Sequence, residues 1–464
     1  MGGSSCAGRM GESLLRAFPE IDFVVNGEGE IPLLHLVKNL SPTYKNQNDN
    51  PVPGLLTRST GSAEGFSQVS GLDTLPVPDY TDYFETLNTL PQAKRFLPKL
   101  PMEMSRGCWW AKTTLPQRDR GCAFCNLNVQ WEGYRAKSLR KIVEELTSLT
   151  GKHELLSVSF MDNLLPPKNL KALFQTIARP GKDFRFFGEI RATTSLDELL
   201  AMGSAGMVEV QVGIEALSTR LLTKLNKGTT AIQNLEIMKN GEASNVPDLT
   251  SNLITHFPGS DETDVEETLE TLQFAFPFRP PKGTPFWLGY GSPVWHHPDD
   301  FGIRRVRNHS FYASLFPPEI LDRIHLLIQE YQGGMRNQQR LWKPVTKALQ
   351  SWRTTYDDLH NASKGDPILS YQDGGEFLII RERRLAVDDM THRLRGSSRQ
   401  IYLFCEKNRS LSEIVERFPG FGQEKILPFL NMMVDKKLMF REGERFLSLA
   451  VPIRGFGKKS EIRI

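Results

Sequence analysis

Three cysteines crowd one short stretch, MEMSRGCWWAKTTLPQRDRGCAFCNLN, where Cys108, Cys122 and Cys125 are spaced C-x(13)-C-x(2)-C. Grouped thiolates hold zinc or iron–sulfur clusters. A closed structural zinc site wants four ligands, whereas three thiolates leave one iron of a four-iron four-sulfur cluster open to a ligand that is not protein. The count favours the open cluster. A zinc knuckle completed by a distant His, or three free thiols in a loop, stands beside it as the plainer alternative. Phe124, between the close pair, is placed to keep water from the sulfurs, and burial is one means of setting a cluster's potential. Gly107 and Gly121 let the backbone come close. Cys6 lies in a Gly/Ser-rich start and Cys405 on an apolar helical face, where each reads as a small hydrophobe.

Such a loop needs a scaffold to aim it. From about residue 100 to 300, short apolar strands alternate with amphipathic helices, the pattern of β-α units around a parallel sheet. Strands are expected near 101–105, 155–160, 184–190, 207–214, 249–255 and 286–290. Helices between them include Leu139 to Leu149, Leu170 to Ile177, Ser195 to Met202, Ser218 to Leu225 and Asp264 to Ala275. The fold class is α/β, and six units suit a partial, TIM-like (β/α)6 barrel. The cysteine loop directly follows the first strand, at the end where the loops of a parallel barrel converge.

Other segments flank the barrel, which spans 100–315. Residues 1–40 read as a truncated Rossmann-like remnant: RAFPEIDFVVNGEGE ends a helix, runs through a strand and stops in a Gly-Glu-Gly turn. Residues 41–99, rich in Pro, Asn, Ser, Thr and Gly, read as a linker. Residues 316–385 form a helical extension, helical from Pro317 through Leu359, ending in a hairpin that turns at Asp373-Gly374-Gly375. Residues 386–464 hold helices at Ile401 to Cys405, Leu411 to Phe418 and Gln423 to Lys436, then the hairpin MFREGERFLSLAV. That is the outline of a small α+β winged-helix-like module.

Composition narrows the function classes. The 464 residues carry 57 basic and 54 acidic side chains, a net charge of +3 that gives no field for nucleic acid or an anionic membrane. No run of about 18 apolar residues is present, and the start MGGSSCAGRMGESLL lacks a secretory pattern, so a cytoplasmic address is expected. Five cysteines in so long a chain do not make a disulfide framework.

Several stretches together carry a family resemblance. They are Ser105-Arg106-Gly107-Cys108-Trp109-Trp110, Cys122-Ala123-Phe124-Cys125-Asn126-Leu127-Asn128, Tyr134-Arg135-Ala136-Lys137-Ser138 and Phe160-Met161-Asp162-Asn163. Further on come Gln211-Val212-Gly213-Ile214-Glu215-Ala216-Leu217, Asn226-Lys227-Gly228-Thr229 and His256-Phe257-Pro258-Gly259. With these the chain resembles cobalamin-dependent radical S-adenosylmethionine (SAM) enzymes, in particular the C-methyltransferase-like maturases of ribosomally made peptides. The first gap between cysteines is longer than usual in that family, with Ala111 opening an insertion, KTTLPQRDRG. The last strand, Leu288-Gly289-Tyr290-Gly291-Ser292-Pro293, lacks charges often found before the Ser-Pro.

The resemblance implies a 4Fe-4S cluster on Cys108, Cys122 and Cys125, with SAM on the open iron. It also implies a 5'-deoxyadenosyl radical and methyl transfer to an unactivated carbon of a precursor peptide. A reductant protein such as flavodoxin or ferredoxin would supply electrons. Cobalamin is implied as well, with residues 1–40 as the end of its domain, but the Asp-x-His-x-x-Gly loop that approaches cobalt is missing from the sequence. Cobalamin binding therefore stays open. SAM calls for carboxylates and amides at strand ends, which Glu189, Gln211, Glu215 and Asn252 provide, while Arg191 could neutralise a carboxylate. Each has an ordinary surface reading too.

Asp162, Tyr290 and His296 are candidates for substrate contact. Trp109 and Trp110 either wall the cofactor or pack the loop. The terminal hairpin could read a peptide by strand addition or serve as a plain structural cap. The competing DNA reading is weak, because GFGQEKILPFLNMMVDKKL carries few basic residues. Two other functions stay in view: a cobalamin-independent epimerase, crosslinking or oxidising enzyme, and a non-catalytic peptide-binding scaffold whose cysteines hold zinc or nothing.

Overall fold

The computed structural model describes residues 1–41, 52–60, 65–111, 121–244, 246, 248–362, 367–385 and 387–453. Residues 112–120 of the KTTLPQRDRG insertion, and the end of the chain from 454, lie outside the described residues.

Six strands form one parallel sheet in chain order: β1 (Leu100–Met102), β2 (Ser157–Phe160), β3 (Arg185–Arg191), β4 (Met207–Glu215), β5 (Asp248–Thr255) and β6 (Lys282–Pro285). Each strand pairs with its sequence neighbours, as expected of a partial barrel open between β1 and β6. The crossovers carry helices α1 (Leu139–His153), α2 (Leu170–Ala178), α3 (Leu196–Ser204), α4 (Thr219–Lys224), α5 (Ala231–Ala243) and α6 (Glu262–Ala275). Their starts are fixed locally. Ser138 caps α1 through Lys141 N, and capping boxes at Ser195/Glu198 and Asp261/Asp264 open α3 and α6.

The strands alternate as their sequence requires. Ile190, Val210, Val212, Leu249 and Leu253 are buried in the core, on the face turned to the helices. Glu189, Gln211 and Thr250 are register partners on the opposite face, with Asn252 two residues beyond Thr250. A parallel sheet curved into a partial barrel thus turns these polar side chains toward the lumen.

The last strand departs from expectation. The sixth parallel strand is Lys282–Pro285, not 286–290, and Leu288–Gly289 instead pairs antiparallel with Ile328–Gln332 in a separate three-stranded sheet. An edge strand needs no apolar alternation and tolerates proline. Phe286, which opens the apolar run that suggested a strand, is buried for another reason: it packs edge-on to Phe257 and Tyr331.

Helix α5 fell outside the expected set, and it is buried on nearly every side. The stretch expected to be helical from Pro317 holds the strand Ile328–Gln332 before one long helix, Met335–Ala362. Within 41–99, Leu55–Thr57 pairs with Phe23–Val25 and Thr81–Thr89 is helical, so this connection carries structure of its own. The hairpin turning at Asp373 to Gly375 is present, as are three helices and a small sheet in the last section. No described helix is long and apolar enough to cross a membrane.

Candidate functional site

The cysteine loop leaves the end of β1 and returns at Arg135. A two-residue ladder, Ser105–Arg106 against Arg135–Ala136, closes its base. Asp162, just past β2, anchors that base by accepting hydrogen bonds from Met104 N (3.0 Å) and Ser105 Oγ (2.5 Å). Its carboxyl is buried, and burial pushes its pKa up to about 7 against those hydrogen bonds. A side chain held this way is part of the loop's foundation, which corrects its reading as a substrate contact.

On the other side, the Gly-Glu-Gly turn grips the same ladder. Arg106 pairs with Glu28 at 3.2 Å, Glu30 at 2.6 Å and Glu103 at 2.8 Å, while Arg135 pairs with Glu28 at 2.5 Å.

All three loop cysteines are free thiols in half-buried residues. Burial raises the Cys122 thiol and pushes Cys125 up to about 12, values for the bare protein that a bound metal would reverse. Cys122 and Cys125 line a cavity of about 220 Å³ together with Asn126, Asn128, Trp131 and His296. Asn126 Nδ2, Asn128 Oδ1 and Trp131 Nε1 are buried there without a hydrogen-bond partner among the described residues. Unsatisfied buried groups lining a cavity call for a ligand or water. Among the described residues, no three or more His, Cys, Asp or Glu are drawn around a single metal ion. A four-iron cluster asks for a different spacing, because each thiolate binds its own iron.

The segment after α4 is the template for this loop. Leu225 O accepts from Ala123 N at 2.8 Å, Asn226 Nδ2 donates to Gly121 O at 2.7 Å, and Asn226 O accepts from Trp110 Nε1 at 2.8 Å. Arg191 donates to Lys227 O and stacks on Trp109 and Trp110, its guanidinium 5.3 and 4.5 Å from their ring centres. That buried cation braces the loop. The two indoles likewise pack the loop. Asn226 to Thr229 stood out in the sequence only as part of the family resemblance, since the bonds that hold the cysteine loop join residues more than 100 positions apart.

The lumen wall holds the other expected residues. Glu189 and Gln211 are half-buried neighbours in register, and burial, then the nearby Glu215, raise the Glu189 carboxyl. Glu215 is engaged by Lys227 Nζ at 3.1 Å, and Asn252 Oδ1 accepts from Thr284 Oγ1 at 3.3 Å. Phe124 packs against the core beneath Lys227. Tyr290 is buried against Ala7, Met10 and Trp295, so it joins the first residues to the barrel and does not face the lumen. His296 borders the cysteine cavity, and burial, then His297, lower its pKa.

Residues 104–272 match the Radical SAM superfamily. The chain carries a radical SAM domain. An uncharacterized methyltransferase of Pyrococcus horikoshii is 27% identical over 269 residues, covering 56% of this chain and 54% of that protein. The anaerobic magnesium-protoporphyrin IX monomethyl ester cyclase of Cereibacter sphaeroides is 25% identical over 365 residues, covering 75% and 55%. The chain thus spans about half the length of these curated relatives. The radical SAM methyltransferase TsrM from Kitasatospora setae, solved with tryptophan and a SAM analogue, superposes with a TM-score of 0.53 at 14% identity, over 81% of this chain and 73% of that one. At that identity the likeness is one of fold.

Radical SAM domains work with a 4Fe-4S cluster and SAM, and the residues present fit both. Three thiols converge on one loop beside unsatisfied buried polar atoms, while carboxylates and amides line the lumen below. The Gly27 to Glu30 turn, which the resemblance places at the end of a cobalamin-binding domain, has its Glu28 paired with Arg106 and Arg135.

Proposed function

We propose that this protein is a radical SAM enzyme that C-methylates a ribosomally made peptide. The observation that carries the reading is the cysteine loop at the carboxyl end of a parallel barrel, with Cys122 and Cys125 opening on a cavity where buried polar atoms of Asn126, Asn128 and Trp131 lack partners among the described residues. Cys108, Cys122 and Cys125 would hold the cluster. The bound cluster and SAM would supply one-electron cleavage of a carbon–sulfur bond and hence radical chemistry.

The chain's own residues do the rest. Glu189, Gln211 and Asn252 present acceptors to an ammonium and ribose hydroxyls, in a lumen where desolvation strengthens each contact. Glu215, paired with Lys227, fixes the charge balance at the loop's inner side. Phe124, between the two close cysteines, would keep water from the thiolates, while Trp109 and Trp110 brace the loop against Arg191. Peptide recognition is assigned to the winged-helix-like module, through strand addition at its hairpin. Methyl transfer would draw on cobalamin, held by a partner segment, and a flavodoxin or ferredoxin would deliver the electron.

A second reading keeps the radical and omits methyl transfer. The relative named as a cyclase, matched over 75% of this chain, favours it. Anaerobic turnover with reductant and SAM separates the two. Methylated product that requires cobalamin supports the first reading; 5'-deoxyadenosine formation indifferent to cobalamin supports the second. Neither product, from protein with a full cluster, refutes both.

A further inference from the structure

Lys227 is buried beside the cysteine loop, and its charge is not needed to hold that loop. The hydrogen bonds of residues 225–227 to the loop and to Arg191 run through main-chain atoms and the Asn226 amide. An apolar side chain of equal length would fill the space without the cost of desolvating an ammonium.

The ammonium nevertheless occupies a defined place. Nζ lies 3.1 Å from Glu215 Oε1 and 5.9 Å from the centre of the Phe124 ring, the residue between the two close cysteines. A Cβ on Gly213 would stand 2.6 Å from Nζ, so the missing side chain on β4 makes the room the ammonium fills. Glu189 is the second carboxylate within electrostatic reach, and Arg191 is the other nearby cation. Leu225 O, two residues before Lys227, accepts from Ala123 N at 2.8 Å, which seats this segment directly against the close cysteine pair.

We infer that the Lys227–Glu215 pair sets the reduction potential of the cluster, with Lys227 favouring the reduced state and Glu215 opposing it. This rests on the cysteine ligation proposed above. Reduction takes one electron from an external donor, makes and breaks no bond, and adds negative charge to a centre that its thiolates already leave anionic. In a site of low dielectric, a fixed cation stabilises that charge far more than it would in water, and net charge is a principal determinant of cluster potential. Lys227 is in this sense a positioning residue, acting on the cluster through its charge.

The test is an anaerobic redox titration of the reconstituted chain, followed by the electron paramagnetic resonance of the reduced cluster. Lys227→Met should lower the reduced-to-oxidised ratio at a fixed potential by roughly tenfold, a shift of about 59 mV for a one-electron couple. Lys227→Arg should restore most of it, and Glu215→Gln should move the midpoint the opposite way. Should Lys227→Met lose its cluster, the arginine and glutamine variants still decide by the size and sign of their shifts. Coincident midpoints at equal iron and sulfide content overturn the inference while leaving the ligation intact, as do shifts of one sign in the methionine and glutamine variants. Wild-type protein that takes up no iron sinks the ligation itself, and the inference falls with it.

Discussion

Glu28 and Arg135 form a buried ion pair at 2.5 Å across a separation of 107 positions. One lies in the turn that follows the first strand of the chain, the other at the return of the cysteine loop. The same carboxylate also meets Arg106 on the outgoing side, so one residue holds both ends of the loop. The N-terminal unit is therefore a structural support for the candidate cluster, whatever else it binds.

Replacing Glu28 with Gln leaves two arginines short of a buried counter-charge, at a cost of about 3 kcal/mol. The thermal midpoint should drop, and reconstituted protein should retain less iron. Burial alone would raise the Glu28 carboxyl, but hydrogen bonds from Arg135 and Val69 N, with the charge of Arg106, hold it below the usual range. Its stabilisation is thus present above the ordinary carboxylate pKa and lost as pH falls through the lower folded value. Acid titration of stability should show that loss in wild type and not in Glu28→Gln.

Asp162 behaves in the opposite sense. Its folded pKa of about 7 lies above an unfolded value of about 3.9, so its contribution is greatest in acid and declines as pH rises toward 7. The span corresponds to about 4 kcal/mol at most. Asp162→Asn keeps an acceptor for Ser105 Oγ and removes the titration. The thermal midpoint of wild type should fall more between pH 5 and pH 8 than that of the variant; parallel curves would refute the assignment.

Gly228 sits at φ +68° with no room for a side chain, since a Cβ would stand 2.1 Å from Trp110 Cη2. Gly228→Ala should cost about 1–3 kcal/mol and loosen Trp110, lowering iron retention. Gly443 provides the control, with φ +56° and open space around it. Gly443→Ala should show backbone strain alone and keep its iron.

What the sequence made legible was local. The candidate ligands Cys108, Cys122 and Cys125 were nominated by residue type and spacing alone, and five of the six barrel strands follow from apolar alternation. The sixth escaped because Lys282–Pro285 is a polar edge strand, while Phe286 beside it is buried against Phe257 and Tyr331. The roles of Lys227, Glu28 and Arg191 were illegible for a different reason. Each depends on a partner far along the chain, and a charged residue in one sequence does not disclose which distant group it will meet. Asp162 was singled out for its position at a strand end, but burial assigns it to the loop's base.

The central claim is that three thiols hold one four-iron four-sulfur cluster. Anaerobic reconstitution followed by iron, sulfide and zinc analysis tests it most directly, on wild type and on the Cys108→Ala, Cys122→Ala and Cys125→Ala variants. Wild type should hold roughly four iron and four sulfide per chain, with each variant losing most of both. Zinc without sulfide in wild type, or full iron in any of the three variants, would contradict the account.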